Sequence, residues 1–340
     1  MKSTPTFDME TIETRAVSLS IVIVNWNGGE LLRRCVESIT RWPPSVPFEI
    51  LIVDNASTDG SAQALMAAKG TGAFNRVRLT LIENDENEGF SRANNRAIAR
   101  SQADMVLLLN ADTEVTPGAL DTLISTLHSE ALIGACGPRL VNSDGSLQHS
   151  AWRNPPTPWE IIVSGIGLWR LIPPGIRGRL LLGGHWDHST RRSVPMLFGT
   201  ALLVKRQVVE TVGALDERFH MYAEDYEWCL RITRGGWRVA FEPGATIVHH
   251  SAQFAMQRWG SQERLRVKLR SAFDFQRYSL SRSHVVTNLV AGCAVSGIQR
   301  IWRTLCRRNT EEVDITFEMC AAHLKRVLRE SGEGRRSATQ

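Results

Sequence analysis

Four acidic residues, at three places in this 340-residue chain, stand where chemistry is commonly placed. Asp54 ends one largely apolar run, and Asp112 follows the unbroken apolar run 106–109 after two residues. Glu224 and Asp225 fall in the first turn of a predicted helix, where the dipole and the free N–H groups favour anions. Carboxylates in such places can hold a divalent cation or accept a proton, although acids also end strands and cap helices with no further role.

The elements around these residues repeat one pattern four times. Short β-branched or apolar runs at residues 18–24, 48–53, 78–82 and 106–109 are typical of strands covered on both faces, and each leads through a polar loop into a helix. This order predicts an α/β fold with a doubly wound, mostly parallel sheet. The polar loops of such a sheet open at one edge, so Asn25, Asp54, Asn87 and Asp112 are expected to face one crevice.

A dinucleotide-binding version of this fold can be tested in the first strand–helix turn. That version requires G-x-G-x-x-G, whereas Gly28 and Gly29 are adjacent here and no third glycine follows. A P-loop lysine is absent as well. A nucleotide bound at this edge would therefore be held by side chains and not by a glycine cradle.

Past Pro117, which with Thr116 predicts the start of a helix, the pattern changes. We predict strands at residues 133–141, 196–204, 237–241 and 245–248, with a turn at Pro243-Gly244 between the last two. Residues 208–213 read as a short helix ended by glycine. Residues 152–192 are expected to form loops over the sheet, and 161–172 are apolar enough to touch a lipid or a partner, although ordinary packing also explains them.

The amino-acid composition limits the classes of protein to which the chain can belong. Apolar residues make up 43% and charged residues 22% of the chain, which is ordinary for a soluble globular protein. The six cysteines form no C-x-x-C pair, which argues against a zinc knuckle or a disulfide framework and suits a reducing cytoplasm. We find neither a signal peptide nor a membrane-spanning stretch, so a cytoplasmic location is predicted, with peripheral attachment to the inner face of the membrane as an extension.

The net charge of +5 is unevenly distributed. Residues 258–340 contain 16 Lys and Arg against 8 Asp and Glu, a local +8 that leaves −3 for the rest. The basic residues alternate with apolar ones at helical spacing, which fits an anionic membrane surface and equally fits core-packing or dimer helices. The oligomeric state stays open, and the lack of a nucleic-acid-reading motif makes nucleic acid an unexpected partner.

Six stretches carry a combined signal: residues 20–27, 52–61, 87–95, 109–113, 213–219 and 222–225. They include Asp54-Asn55-Ala56-Ser57, Asn110-Ala111-Asp112 and Glu224-Asp225. In this order they resemble the family 2 glycosyltransferases of GT-A fold, and most closely the rhamnosyltransferase-like branch. The resemblance implies a GT-A catalytic domain (18–252) with a nucleotide-binding half (18–115) and an acceptor-binding half (116–252). Polar composition predicts a flexible leader (1–17) before it, and helical spacing predicts a basic amphipathic helical C-terminal region (253–340) after it.

The resemblance also implies a role for each motif residue. Asp225 matches the catalytic base, with Glu224 beside it on the acceptor side. Asp112 matches the acid that holds Mg²⁺ or Mn²⁺ against the diphosphate, with His249, or its neighbour His250, as a further ligand. The residues that match the nucleotide pocket are Asn25, Asn27, Asp54, Asn87, Arg92 and Asn110. A core histidine is the alternative at 249 and 250.

One position departs from the family pattern. Asn110 places a neutral amide where the first carboxylate of the Asp-x-Asp metal motif would stand, so weaker metal binding is expected.

The implied reaction moves a sugar, with inversion, from a nucleotide-diphosphate donor to a saccharide or lipid-linked saccharide acceptor in cell-surface polysaccharide synthesis. Rhamnose from dTDP-rhamnose is the first candidate, and a UDP-linked sugar is the other. Two alternatives stay open: a sugar nucleotidyltransferase, which would want a basic residue in the first loop, and a non-catalytic nucleotide-sugar or glycan-binding relative.

Overall fold

Four parallel strands and the helices between them form the first half of the central sheet. The computed structural model describes residues 17–71, 74, 77–152, 156–250 and 260–337. Its first elements are β1 (Leu19–Asn25), α1 (Gly29–Arg41), β2 (Phe48–Asp54), α2 (Ser61–Gly70), β3 (Arg78–Glu83), α3 (Phe90–Arg100) and β4 (Met105–Asn110). The strands pair in the order β3-β2-β1-β4, all in parallel, as the repeated strand–loop–helix pattern predicts.

The second half extends the same sheet with strands of mixed direction. It comprises β5 (Thr113–Val115), α4 (Ala119–Ser129), β6 (Ile133–Val141), β7 (Leu147–Gln148), β8 (Ala151–Trp152), α5 (Pro158–Gly165), α6 (Pro174–Leu180), β9 (Arg192–Ser193), β10 (Met196–Leu197), β11 (Ala201–Lys205), α7 (Arg206–Val212), α8 (Glu224–Arg234) and β12 (Arg238–His249). The sheet continues from β4 in the order β11-β6-β12-β5. Strand β11 runs antiparallel to both neighbours, whereas β12 runs parallel to β6 and antiparallel to β5.

Several predicted boundaries in this half are wrong. Residues 196–204 are not one strand, because Met196–Leu197 pairs with β8 in a separate sheet while Ala201–Lys205 joins the central one. Residues 238–249 are one strand and not two, since a shift of register between Glu242 and Thr246 absorbs the predicted turn as a bulge. Helix α4 begins after Gly118, and the Thr116 hydroxyl donates to the Thr246 carbonyl instead of capping it. The predicted loops at 152–192 contain α5 and α6.

Alternate residues of each central strand supply two hydrophobic cores. On β1, Ile21 and Ile23 pack with Leu32 of α1 on one face of the sheet. Val22 points to the other face and belongs to the core that contains Trp228 of α8. This alternation follows from the two-residue period of a strand, and it covers both faces of the sheet with helices. Only the edge at the carboxyl ends of the parallel strands is left for a ligand.

Among the described residues from 260 to 337, three helices confirm the predicted helical C-terminal extension: α9 (Ser261–Ser279), α10 (Arg282–Leu305) and α11 (Glu311–Ser337). Their apolar faces meet in a small core that includes Phe273, Leu289 and Cys320, and α9 also packs on α8. No helix among the described residues is long and apolar enough to cross a membrane. The predicted leader, residue 17 apart, and the boundary predicted at residue 252 lie outside the described residues.

Candidate functional site

A crevice of about 420 Å³ lies where the parallel strands end. This volume falls in the range of small-ligand sites. Six of the predicted site residues line it: Asn87, Asn110, Asp112, Glu224, Asp225 and His249. We call the two places where its carboxylates stand the Asp112 end and the Asp225 end.

Strand pairing builds the Asp112 end. Strand β5 begins directly after Asp112 and pairs with β12 so that Thr113 stands opposite His249. This register places His249 Nε2 3.3 Å from Asp112 Oδ1. Asp112 is only 4% exposed, and no hydrogen-bond donor among the described residues reaches that oxygen. A buried carboxylate oxygen without a donor, beside an imidazole nitrogen, is a suitable place for a cation.

Gln148 fixes the orientation of the His249 ring. The Gln148 side-chain nitrogen donates to the His249 carbonyl at 2.7 Å, and its Oε1 lies 2.8 Å from His249 Nδ1. The oxygen accepts, so Nδ1 carries the proton and Nε2 presents its lone pair towards Asp112. Outer partners of this kind are typical of metal-binding histidines. Gln148 carries no sequence signal, because only the pairing of β6 with β7 brings it there.

His250 points away from the crevice. Its Nδ1 lies 2.7 Å from the Ser143 hydroxyl and its Nε2 lies 2.6 Å from a Glu114 carboxylate oxygen, which also pairs with Arg34. The two adjacent histidines therefore face opposite sides of the strand, and the structure brings His249, not His250, to Asp112.

The Asp225 end contains two adjacent buried carboxylates. The Gly199 N–H donates to Asp225 Oδ2 at 3.1 Å, and the Tyr226 N–H donates to Oδ1 at 2.9 Å. Burial raises the pKa of Asp225 to about 6. Burial, and then the charge of Asp225, raises the pKa of Glu224 well above its usual value. Glu224 therefore holds a proton more readily than Asp225, which is the more available base at neutral pH.

Backbone strain marks the entry to helix α8. Tyr222 and Ala223 both adopt positive φ, 65° and 70°, which is rare for residues with side chains. The preceding residues are held by α3, whose Phe90 N–H donates to the His220 carbonyl at 2.8 Å. A Cβ on Gly89 would lie 2.4 Å from His220 Nδ1, so only glycine allows this contact. Strain of this kind, fixed by its surroundings, is common at functional sites.

Asn25, Asn27 and Asp54 form hydrogen bonds beside the crevice and do not line it; Asn25 and Asp54 are buried, whereas the bond of Asn27 is exposed. Asn25 Nδ2 donates to Asp54 Oδ1 at 2.7 Å, and Asn27 Oδ1 accepts from the Thr58 N–H at 2.7 Å. These bonds tie the loop after β1 to the loop after β2. Direct contact of these three residues with a nucleotide stays a prediction.

Asn55 lines the crevice, although the sequence did not single it out. Its amide nitrogen donates to Asn87 Oδ1 at 3.0 Å, and its oxygen accepts from the Glu88 N–H at 3.0 Å. Arg92 lies instead on the outer side of α3, 56% exposed and 3.5 Å from Glu217. Asn55 stands next to Asp54 in the motif at residues 52–61, and this adjacency was the sequence signal that could have identified Asn55 as a site residue.

Comparison with known proteins matches residues 20–213 to the family described as glycosyl transferase family 2. The chain belongs to this family. It is 30% identical over 260 residues to the N-acetylglucosaminyl-diphospho-decaprenol L-rhamnosyltransferase of Mycobacterium tuberculosis H37Rv, covering 69% of this chain and 76% of that one. The predicted family, its rhamnosyltransferase-like character and the enzyme class are thereby confirmed. The alternatives of a nucleotidyltransferase and of a non-catalytic binding protein are set aside.

Solved structures agree on the fold of this glycosyltransferase. The mannosyltransferase PcManGT from Pyrobaculum calidifontis, in complex with GDP-Man and Mn²⁺, superposes with a TM-score of 0.55 at 16% identity, covering 93% of this chain and 88% of that one. GalNAc-T7 with UDP, GalNAc and Mn²⁺ gives 0.56 at 16% identity, covering 95% and 58%. These likenesses confirm the predicted GT-A fold.

Proposed function

We propose that this glycosyltransferase transfers a sugar from a nucleotide-diphosphate donor to a saccharide acceptor with inversion at the anomeric carbon. The observation that carries the proposal is the pairing of two unlike ends in one crevice. The Asp112 end offers a buried carboxylate oxygen without a donor beside His249, and the Asp225 end offers a base flanked by a second carboxylate. An inverting transfer needs a place for the departing diphosphate and a base for the acceptor hydroxyl.

We propose that Asp112 and His249 hold Mg²⁺ or Mn²⁺. Among the described residues no group of three histidine, cysteine or acidic side chains could hold a metal, so the protein offers two ligands here. The remaining positions suit oxygens of the donor diphosphate, and hard oxygen ligands suit either ion. When bound, such an ion supplies positive charge that stabilises the leaving diphosphate. The presence of Mn²⁺ in the structures of both neighbours supports this assignment.

Asp225 accepts the proton of the acceptor hydroxyl in this proposal. The hydroxyl oxygen forms its bond to the anomeric carbon on one face while the bond to the diphosphate oxygen breaks on the other, which inverts the centre. Glu224, whose carboxyl is buried beside Asp225, lies on the acceptor side and holds its proton more firmly. The two backbone N–H groups on Asp225 fix the direction in which its carboxylate points.

We propose that the nucleotide lies at the end of the crevice near the first two loops. Asn87 and Asn110 stand in its wall, and Asn55 adds a third amide there. Behind that wall lie Asn25, Asn27 and Asp54. They would act by fixing the two loops or by turning towards the base of the nucleotide. Arg92 is the weakest member of the predicted set, because its side chain pairs with Glu217 on the outer surface.

dTDP-rhamnose is our first choice of donor, and a lipid-linked saccharide is our choice of acceptor. Support comes from the mycobacterial relative, whose name gives rhamnose as the transferred sugar and N-acetylglucosaminyl-diphospho-decaprenol as the acceptor. Such an acceptor places the enzyme in cell-surface polysaccharide synthesis, in peripheral contact with the membrane.

A donor panel tests the proposal. Binding and nucleotide release are measured for dTDP-rhamnose, UDP-linked sugars and GDP-mannose, each with Mn²⁺, with Mg²⁺ or with EDTA. We expect one dTDP- or UDP-linked donor to release its nucleotide only with a metal ion, and NMR of the glycoside formed on a saccharide acceptor to show the inverted anomer. Failure of every nucleotide sugar to bind, under all three conditions, would rule out the proposal.

A further inference from the structure

Two cationic side chains of helix α9, Arg264 and Lys268, stand in the wall of the crevice. They lie one turn apart on the same face of the helix. The helix is anchored next to the Asp225 end, where the Ser271 hydroxyl donates to the Met221 carbonyl at 2.9 Å. The position of the two cations is therefore fixed against the strained segment that leads into Glu224 and Asp225.

Both cations converge on one aromatic ring. The Lys268 ammonium lies 5.4 Å from the centre of the Tyr222 ring, and Arg264 hydrogen-bonds the Tyr222 hydroxyl. Among the residues that the structure describes, neither cation forms an ion pair with a carboxylate. The adjoining stretch 251–259 contains no Asp or Glu.

Like charges held this close repel each other unless an anion joins them. Partial burial is the larger cause of the lowered pKa of Lys268, and the charge of Arg264 adds to it. Two fixed cations in the wall of a ligand crevice therefore indicate an anionic ligand group.

We propose that Arg264 and Lys268 bind the phosphate of a phosphate-linked acceptor. This inference rests on the proposed function. The cations adjoin Tyr222, just before the acidic pair of the Asp225 end, and not Asp112, where the donor diphosphate is placed. A phosphate bound there would hold the acceptor sugar beside Asp225, and a neutral acceptor would gain nothing from the site.

The test compares two acceptors that share a sugar. One is N-acetylglucosamine linked through diphosphate to a short prenol, and the other is octyl N-acetylglucosaminide, which carries no phosphate. We expect Arg264→Met and Lys268→Met each to lower kcat/KM for the diphosphate acceptor by about tenfold or more, the usual scale of a lost charge-assisted hydrogen bond. Activity with the octyl acceptor and the KM of the donor stay unchanged. Arg270→Met, an exposed residue of the same helix, is the matched control.

Two results would overturn the phosphate site. An equal loss with both acceptors would make the cations structural, and a raised donor KM would assign them to the donor diphosphate. If wild-type enzyme transfers to neither acceptor, N-acetylglucosamine is rejected as the acceptor sugar, and the phosphate site is judged separately. Inorganic pyrophosphate in EDTA then serves as the probe, and it must bind the wild type and not the double variant.

A different observation concerns an outer surface, which we call the arginine-rich surface and define as the exposed side chains of residues 159–180 and 290–308. Twelve of the sixteen exposed large apolar side chains among the described residues lie in these two segments. The most exposed are Leu171, Ile301, Trp302 and Leu305. The two segments contain seven arginines and one acidic residue, Glu160, whose carboxylate is engaged with Thr157 in the cap of α5.

The two segments are adjacent because α5 packs on α10. A Cβ on Gly165 would lie 2.2 Å from Val295 Cγ1, so the helices touch closely there. The Gln299 side chain donates to the Gly165 carbonyl at 2.6 Å, and Asn288 donates to the Pro156 carbonyl at 2.9 Å. Within the surface Arg300 pairs with Asp314 of α11, and the other six arginines set its positive charge.

We propose that the arginine-rich surface docks on an anionic lipid bilayer. Exposed apolar side chains among seven arginines, against the single carboxylate of Glu160, match a leaflet of anionic headgroups over an acyl core. Trp169 lies beneath the guanidinium groups of Arg170 and Arg177, 4.7 and 4.9 Å from the ring centre, an arrangement suited to the interface.

Vesicle sedimentation tests the docking surface without any sugar substrate. We expect wild-type protein to bind vesicles of phosphatidylcholine with one third phosphatidylglycerol and to bind pure phosphatidylcholine weakly. Replacing Arg303, Arg307 and Arg308 by Gln should weaken binding about fivefold for each arginine removed. Replacing Ile301, Trp302 and Leu305 by Ser should abolish it, whereas Trp42→Ser with Leu132→Ser, which are exposed elsewhere, should not.

Undiminished binding by both triple variants would overturn the membrane proposal. So would a wild-type oligomer that becomes monomeric in the serine variant while vesicles bind neither protein, because the surface would then join copies of the chain.

Discussion

The two ends of the crevice differ in the surroundings of their carboxylates. At the Asp112 end a single buried carboxylate faces an imidazole nitrogen, and one oxygen has no donor among the described residues. At the Asp225 end two carboxylates are buried together, and burial raises the pKa of both. The first arrangement favours a cation and the second favours a proton. One crevice can thus place the cation that balances the leaving diphosphate at one end and the catalytic base, Asp225, at the other.

The largest effect is expected from Asp225→Asn. The amide cannot accept the acceptor proton, so transfer should fall by about 10²–10⁴-fold, the usual contribution of a general base. Donor binding in the presence of Mn²⁺ should stay within a factor of two, because the Asp112 end is untouched. Single-turnover transfer and calorimetric donor binding measure the two quantities. Residual transfer above a tenth of the wild-type rate would remove Asp225 from the role of base.

Asp112→Asn should produce the reverse pattern. The neutral amide weakens the attraction for the cation, so we expect Mn²⁺-dependent donor binding to weaken by about a hundredfold. The pH dependence of the remaining transfer should be unchanged. Titration of donor binding with Mn²⁺ measures the effect, and Asp85→Asn, an exposed acid in a neighbouring loop, provides the control. Unchanged Mn²⁺ dependence would mean that the metal is held elsewhere.

Sequence reasoning succeeded where local pattern decides the structure. Strands β1, β2 and β4 are largely buried on both faces, so their apolar runs and the helices between them predicted a parallel sheet, to which β3 adds a half-exposed edge. Sequence reasoning failed where the pairing of strands that are distant in the chain decides the structure. The bulge in β12 and the split of residues 196–204 depend on neighbouring strands, and no local signal marks them.

The candidate site divides in the same way. The motif acids Asp112, Glu224 and Asp225 were predicted, since strand ends and helix starts are visible in the sequence. The choice of His249 over His250 required the register of β5 with β12. Gln148 and the two cations of α9 required tertiary contacts across more than one hundred and about forty residues, respectively.

Gln148→Leu should reproduce part of the Asp112 defect. Loss of the acceptor on His249 Nδ1 frees the ring to rotate and to change tautomer, and outer partners of metal ligands contribute about 10–100-fold to affinity. We expect Mn²⁺ affinity to fall within that range and saturating Mn²⁺ to restore the transfer rate. Gln63→Leu, which removes an exposed side chain bonded to Glu83, is the control. A rate that Mn²⁺ cannot restore would point to a folding defect.

The pH profile distinguishes the two ends further. Because burial raises the pKa of Asp225 to about 6, the base is largely ionised at pH 7 and largely protonated at pH 5. With saturating Mn²⁺ we expect kcat/KM to fall about tenfold per pH unit below 6 and to be level above it. The residual activity of Asp225→Asn should lack this limb. A level profile from pH 5 to 8 in wild-type enzyme would contradict the assignment.

The smallest expected effect is a gain in stability from Glu224→Gln. The folded-state pKa of Glu224 lies above its unfolded value, so the folded protein binds this proton more tightly. Stability then falls with rising pH between the two values, by up to about 1.4 kcal/mol per pH unit. Glutamine carries no titrating proton and escapes that loss. We therefore expect Tm of the variant to exceed that of wild type at pH 8 and to match it at pH 4.

Glu263→Gln, which changes an exposed glutamate in the first turn of α9, should show no such difference. A gain in Tm that is equal at both pH values would mean that packing, and not the buried charge of Glu224, makes the wild type less stable than the variant.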